Sequence, residues 1–122
     1  MGFKPRPPAA IPAEVSKPYA LLKSLCAELP GVEETWSFGH PNFCAGTPSR
    51  AFAAFEQVKG AWLCAVRVGP ELQGALVGQG QPYVRVPYDR SGDWIGIAAD
   101  RLDPGRLAAL LAGAHALLSR RR

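Results

Sequence analysis

Long apolar runs are missing from this chain. Of its 122 residues, no stretch approaches the ~20 consecutive apolar residues that a membrane-spanning helix needs. The N-terminal M-G-F-K-P-R-P-P-A-A-I-P is basic but lacks the continuous apolar segment of a secretory signal. Pro5 and Arg6 spoil the myristoylation pattern that Met1-Gly2 begins. The expectation is a cytoplasmic protein with no membrane partner. Cysteine is sparse as well: Cys26, Cys44 and Cys64 are odd in number, widely spaced and without a C-x-x-C. That excludes a disulfide framework and a zinc site of the usual spacing, and leaves reduced, structural thiols.

Catalytic and cofactor motifs are absent in turn. There is no H-E-x-x-H, no P-loop and no G-x-G-x-x-G following a strand. G-Q-G-Q-P, residues 78–82, follows a helical pattern and runs into proline, so it reads as a linker. No Ser-His-Asp or Cys-His arrangement is evident, and neither His40 nor His115 has an acidic neighbour in sequence. No metal, no cofactor and no enzymatic activity are expected.

The net charge of +4 suggests nucleic acid, but its location weakens the suggestion. Arg120, Arg121 and Arg122 form a terminal run, and Lys4 and Arg6 lie in the proline-rich N-terminus. Between Lys17 and Ser119, nine basic residues face nine acidic ones, so the body is formally neutral.

What is present is a well-patterned single domain. Residues 1–16, with Pro5, Pro7, Pro8 and Pro12, read as an extended leader, and residues 17–122 as the folded domain. A first helix is expected from Pro18, with Leu22, Leu25, Cys26 and Leu29 on one face and Pro30-Gly31 closing it. Short extended runs follow: V-E-E-T-W-S-F, a G-H-P turn, N-F-C-A-G, A-F-A-A-F-E-Q-V, a K-G turn and A-W-L-C-A-V-R-V. These predict an antiparallel meander. In the last run Trp62, Cys64, Val66 and Val68 share a core face, and the other face is partly covered.

Pro70 opens a short helix. Y-V-R-V-P-Y, between Pro82 and Pro87, is confined to a sheet edge or a loop, and W-I-G-I-A-A is a final strand. Asp103-Pro104 caps a closing helix whose apolar stripe is Leu107, Leu110, Leu111, Ala114 and Leu118. The fold class is therefore α+β, a two-layer sandwich of an antiparallel sheet with the N- and C-terminal helices on one face.

Five of these segments, in order, resemble the MmcQ/YjbR family of small bacterial proteins: L-P-G-V-E-E-T, F-G-H-P-N-F, A-F-A-A-F, G-D-W-I-G-I and L-A-A-L-L-A-G-A-H-A-L-L. The likeness spans about residues 18 to 120 and implies a frataxin/CyaY-like sandwich. The family name carries the label DNA-binding, so the resemblance implies DNA as a partner. Ala114-His115 stands where relatives tend to have Ser-Tyr, and Gly46–Arg50 lengthens a turn. Frataxins carry many carboxylates on the first helix; here that helix has only Glu28, which disfavours iron binding.

The candidate site residues follow from these readings. Arg67, Arg85, Arg90, Arg101 and Arg106, with Tyr83, Tyr88 and Trp94 interleaved among the middle set, combine phosphate-holding and base-stacking groups, and Arg120 to Arg122 add a salt-sensitive contact. Asp89, Asp93, Asp100 and Asp103 alternate with those arginines and would repel a phosphate backbone. An alternative is a module that binds a small molecule or a protein through the sheet face and the P-Y-D-R-S-G-D-W loop, with specificity in Tyr88, Arg90 and Trp94. In W-S-F-G-H-P-N-F-C-A-G, Trp36, Phe38 and Phe43 read as core, and His40 is an exposed turn residue and the only chemical group of the hairpin. A further alternative is an enzyme pairing His40 with Asp93 or another carboxylate. His115 reads as a satisfied core histidine.

Overall fold

The structure, a computed structural model, describes residues 11–37, 39–47 and 50–120, with the side chains of 119 and 120 left out. Three helices, α1 (Ser16–Ala27), α2 (Pro70–Gln79) and α3 (Pro104–Arg120), accompany six strands. The strands are β1 (Val32–Ser37), β2 (His40–Ala45), β3 (Ala51–Val58), β4 (Ala61–Arg67), β5 (Tyr83–Arg85) and β6 (Trp94–Ala98). They form one sheet in the order β1-β2-β3-β4-β6-β5, antiparallel throughout. The α+β sandwich expected from the pattern is the architecture found.

The helices bury one face of this sheet. Tyr19, Leu22 and Cys26 of α1 and Leu107, Leu110, Leu111, Ala114 and Leu118 of α3 share a single core with Phe43, Phe55, Cys64, Val66, Ile95 and Ile97. Asp103 caps α3 as expected: its Oδ2 accepts the Arg106 amide at 2.9 Å. His115 is buried against Phe52, edge to face at 5.5 Å, and its Nε2 lies 2.8 Å from the Pro30 carbonyl. Tyr19 donates to Glu34 Oε2 at 2.5 Å, and Lys23 reaches Oε1 at 3.4 Å, which ties α1 to β1.

The expected leader divides. Residues 1–10 lie outside the described residues, whereas Ala13–Val15 make a 3-10 turn and α1 begins at Ser16, two residues before Pro18. Ile11 and Val15 pack, partly buried, against the core. Apolar side chains thus bring this stretch into the fold, and Pro18 sits in the first turn, where its missing N–H has no helical partner to lose.

The hairpin also differs from expectation. Pairing runs on to Ser37↔His40, so His40 is the first residue of β2 and not part of the turn. Gly39, at φ +83°, carries the reversal. Phe43 is buried as foreseen, but it faces Glu34, while Trp36 faces Pro41 and is half-buried. Phe38 lies outside the described residues.

Candidate functional site

The sheet face away from the helices is built from small residues. The register sets Asn42, Ala54, Ala65, Gly96 and Val84 in one row across five strands. A side chain at Gly96 would meet Leu63 at 3.0 Å and Val84 at 3.1 Å. This low floor lets the segment between β5 and β6 fold back over the sheet. Val86, 3% exposed, seals Ala54 and Ala65 into a second small core with Trp94 packed against it.

Asp89 shapes this strap. Its Oδ1 accepts the Ser91 amide at 3.1 Å and the Ser91 hydroxyl at 2.6 Å, and its Oδ2 accepts the Trp94 amide at 2.9 Å. Partial burial pushes the Asp89 carboxyl up, but the bonds from Ser91 and Trp94 outweigh it and hold the group below the usual carboxylate range. The far end is anchored where the Asp93 carbonyl accepts the amides of Val68 at 2.8 Å and Gly69 at 2.9 Å. The Asp93 carboxylate takes Arg67 Nη2 at 3.3 Å.

Between the strap and strands β2 and β3 lies a groove of about 1030 Å³. Its least expected feature is Glu56, a carboxylate only 4% exposed on the sheet floor. The β2–β3 register, Asn42↔Ala54, extended by two residues brings His40 opposite Glu56. His40 Nε2 lies 3.3 Å from Glu56 Oε1, and its Nδ1 lies 3.3 Å from the Pro41 carbonyl. From the other side the Tyr88 hydroxyl donates to Glu56 Oε2. Tyr88 is 58% exposed as a residue, but its hydroxyl is turned inward. Burial of that end, then the bond to Glu56, raise its pKa well above the ordinary tyrosine value. A buried carboxylate is costly unless hydrogen-bonded; His40 and Tyr88 supply the partners.

The residues singled out from sequence are distributed unevenly over this geometry. His40, Tyr88, Arg90 and Trp94 all line the groove. His40 is 16% exposed as a side chain and not the solvated turn residue expected, because strand pairing draws it onto the sheet. Arg67 pairs with Trp94 across β4 and β6, but its charge is engaged by Asp93. Arg85 stands on the helix-side face, in register with Ile95, with its Nη1 3.4 Å from Gln73 Oε1. Arg120 ends α3, and Arg121 and Arg122 lie outside the described residues. The arginines that suggested a nucleic-acid face therefore do not share one.

Glu56, Asn42 and Lys59 of the groove were not foreseen. The one signal was Glu56 itself, a lone charge in A-F-A-A-F-E. The carboxylate that approaches His40 is Glu56; Asp93 is held by Arg67 instead.

Chemically the groove offers aromatic surface, a desolvated acceptor and cations at its rim. Among the described residues no cluster of His, Cys, Asp and Glu side chains could hold a metal ion. Nor is any described helix long and apolar enough to cross a membrane.

Comparison with known proteins follows the fold. A family model described as YjbR matches residues 27–117. A crystal structure of a Deinococcus radiodurans protein with a DUF419 domain is similar at a TM-score of 0.69 and 24% identity, over 82% of this chain and 77% of that one. That likeness is one of fold. No curated protein matches the chain.

Proposed function

The chain belongs to the YjbR family, and from that premise we propose that it is a non-enzymatic binding protein whose ligand is a small molecule held in the groove under the strap. One observation carries this reading: Glu56 is buried at the floor of an open groove and held in place by His40 and Tyr88. A protein gains little stability from burying a carboxylate there, whereas a fixed acceptor beside aromatic surface is what recognition of a polar ligand requires. Tyr88, Arg90 and Trp94 of the P-Y-D-R-S-G-D-W loop line the same groove.

The DNA reading draws on the family label and the terminal arginines. Arg67 is neutralised by Asp93 and Arg85 lies on the other face, so these two do not join Arg90 in a continuous basic track of the kind a duplex needs. The test is a thermal-shift panel of small aromatic acids, amines and nucleotides on the full chain and on its Trp94→Ala and Glu56→Gln variants. Anisotropy with single- and double-stranded DNA at two salt concentrations runs beside it. Stabilisation by a panel member that either substitution abolishes supports the groove. Duplex binding that survives deletion of Arg120 to Arg122, with no response to the panel, overturns it.

A further inference from the structure

The chemistry of the groove narrows its ligand, given that the groove is a small-molecule site. An ionised carboxylate is an acceptor only, with about four lone-pair sites on its two oxygens. Glu56 takes one contact at each oxygen, from His40 and from Tyr88. It can therefore accept a pair of adjacent N–H donors if the Tyr88 hydroxyl, carried on the surface strap, gives way. The Tyr88 ring lies over Glu56, and Trp94, Ala51 and Ala54 line the same groove, with small residues on its floor to leave room for a flat ring. Lys59 and Arg90 line the same groove, are exposed, and enter no ion pair among the described residues.

Lys59 adds an independent indication. It holds a left-handed backbone at φ +52°, the one non-glycine residue to do so among those described. Glycine or asparagine suits that position better. A lysine kept in a strained conformation at the edge of a groove points to a use for its ammonium.

A donor-pair edge, a flat ring and an anionic group are together the features of a guanine nucleotide. We infer that the groove binds a guanine nucleotide, with the base stacked on Trp94, its adjacent ring and amino N–H groups donated to Glu56, and its phosphate between Lys59 and Arg90. Among the common bases guanine alone offers two neighbouring donors on one edge; adenine sets a single donor beside an acceptor, which a carboxylate repels. The base can come from a free nucleotide or from a single strand, in which bases are likewise splayed and stacked on aromatic side chains.

Calorimetry on the full chain separates these cases. GMP, IMP (which lacks the amino group), guanosine (which lacks the phosphate) and short oligo-dG and oligo-dT are titrated in turn. GMP is expected to bind roughly tenfold or more tighter than IMP, the scale of one bidentate base contact, and tighter than guanosine. Glu56→Gln should erase the preference for GMP over IMP, and Lys59→Ala should weaken GMP but not guanosine. Circular dichroism confirms that each variant folds. Should Glu56→Gln not fold, the wild-type GMP to IMP ratio decides alone. Oligo-dG binding without GMP binding, and without oligo-dT binding, keeps the guanine chemistry and makes a strand its source. Equal binding of GMP and IMP overturns the inference. A member of the small-molecule panel that binds through Glu56 while GMP does not overturns it too, but leaves the groove reading intact. Absence of all binding removes both.

Discussion

His40 Nε2 lies 3.3 Å from Glu56 Oε1, across neighbouring strands and on the sheet face turned away from the helices. This contact joins the first hairpin to the middle of the sheet, and the Tyr88 hydroxyl closes it from above. The strap between β5 and β6 is thus fixed to the floor at Glu56 as well as through Asp93 and Arg67.

Removing the Tyr88 hydroxyl tests that linkage. Tyr88→Phe keeps the ring but leaves Glu56 Oε2 without its donor. A hydrogen bond to a charged group contributes about 1.5–3 kcal/mol, and solvent reaching this half-exposed residue places the loss near the lower end. Urea unfolding should show a drop of about 1–2 kcal/mol with an unchanged slope. In combination with Glu56→Gln the losses should fall short of additive. Full additivity would mean that the two side chains do not act on each other.

Titration at high pH reads two tyrosines at once. Burial, and then the Glu34 and Glu56 carboxylates, raise Tyr19 and Tyr88 well above the ordinary value near 10. A raised folded pKa contributes stability that is complete below about pH 10 and is lost as pH rises toward the folded value. Tyrosinate absorbance should therefore show Tyr19 and Tyr88 ionising only as the chain unfolds in alkali. Early titration of either in the native state would contradict the hydroxyl–carboxylate geometry.

The fold was largely legible because its signals are local: prolines at helix starts, capping by Asp103, and alternating apolar strands. The site was not, because it depends on register. Phe52 and Phe55 are an odd number of residues apart, so a regular strand would send them to opposite faces. Both are fully buried in the helix-side core. A bulge, where Phe43 pairs with Ala53 and Cys44 with Ala51, leaves Phe52 unpaired and turns it inward beside His115. Beyond that bulge, strand parity no longer says that Glu56 will meet His40. Tyr88, Arg90 and Trp94 were found from composition alone, since aromatics and arginine in a Pro/Gly-punctuated loop need no register to be conspicuous.

The thiols should be inert. Burial pushes Cys26 and Cys64 up to about 12 and raises Cys44, with the Thr35 hydroxyl only partly offsetting it. All three are buried, and the nucleophile is the thiolate. A disulfide reagent at pH 8 should find essentially no fast-reacting thiol in the native chain and all three after denaturation. A rapid native reaction at any one would show that its side of the core opens readily.

Lys59 links stability to binding with opposite signs. With Gly60 at φ +83° it forms the pair of left-handed residues that a two-residue hairpin turn demands. A residue with a Cβ in that conformation costs roughly 1–2 kcal/mol, against roughly 0.5–1 kcal/mol for the greater chain freedom that glycine loses on folding. Lys59→Gly is therefore expected to raise stability by about 0.5–1 kcal/mol, read as a higher Tm. The same change removes a cation from the groove, so affinity for GMP should fall while affinity for guanosine holds. Gain of stability with loss of phosphate recognition would show that the strain is kept for the sake of the ligand. A rise in Tm with GMP binding unchanged would take Lys59 out of the site, and a fall in Tm would mean that its methylenes pack well enough to outweigh the strained backbone.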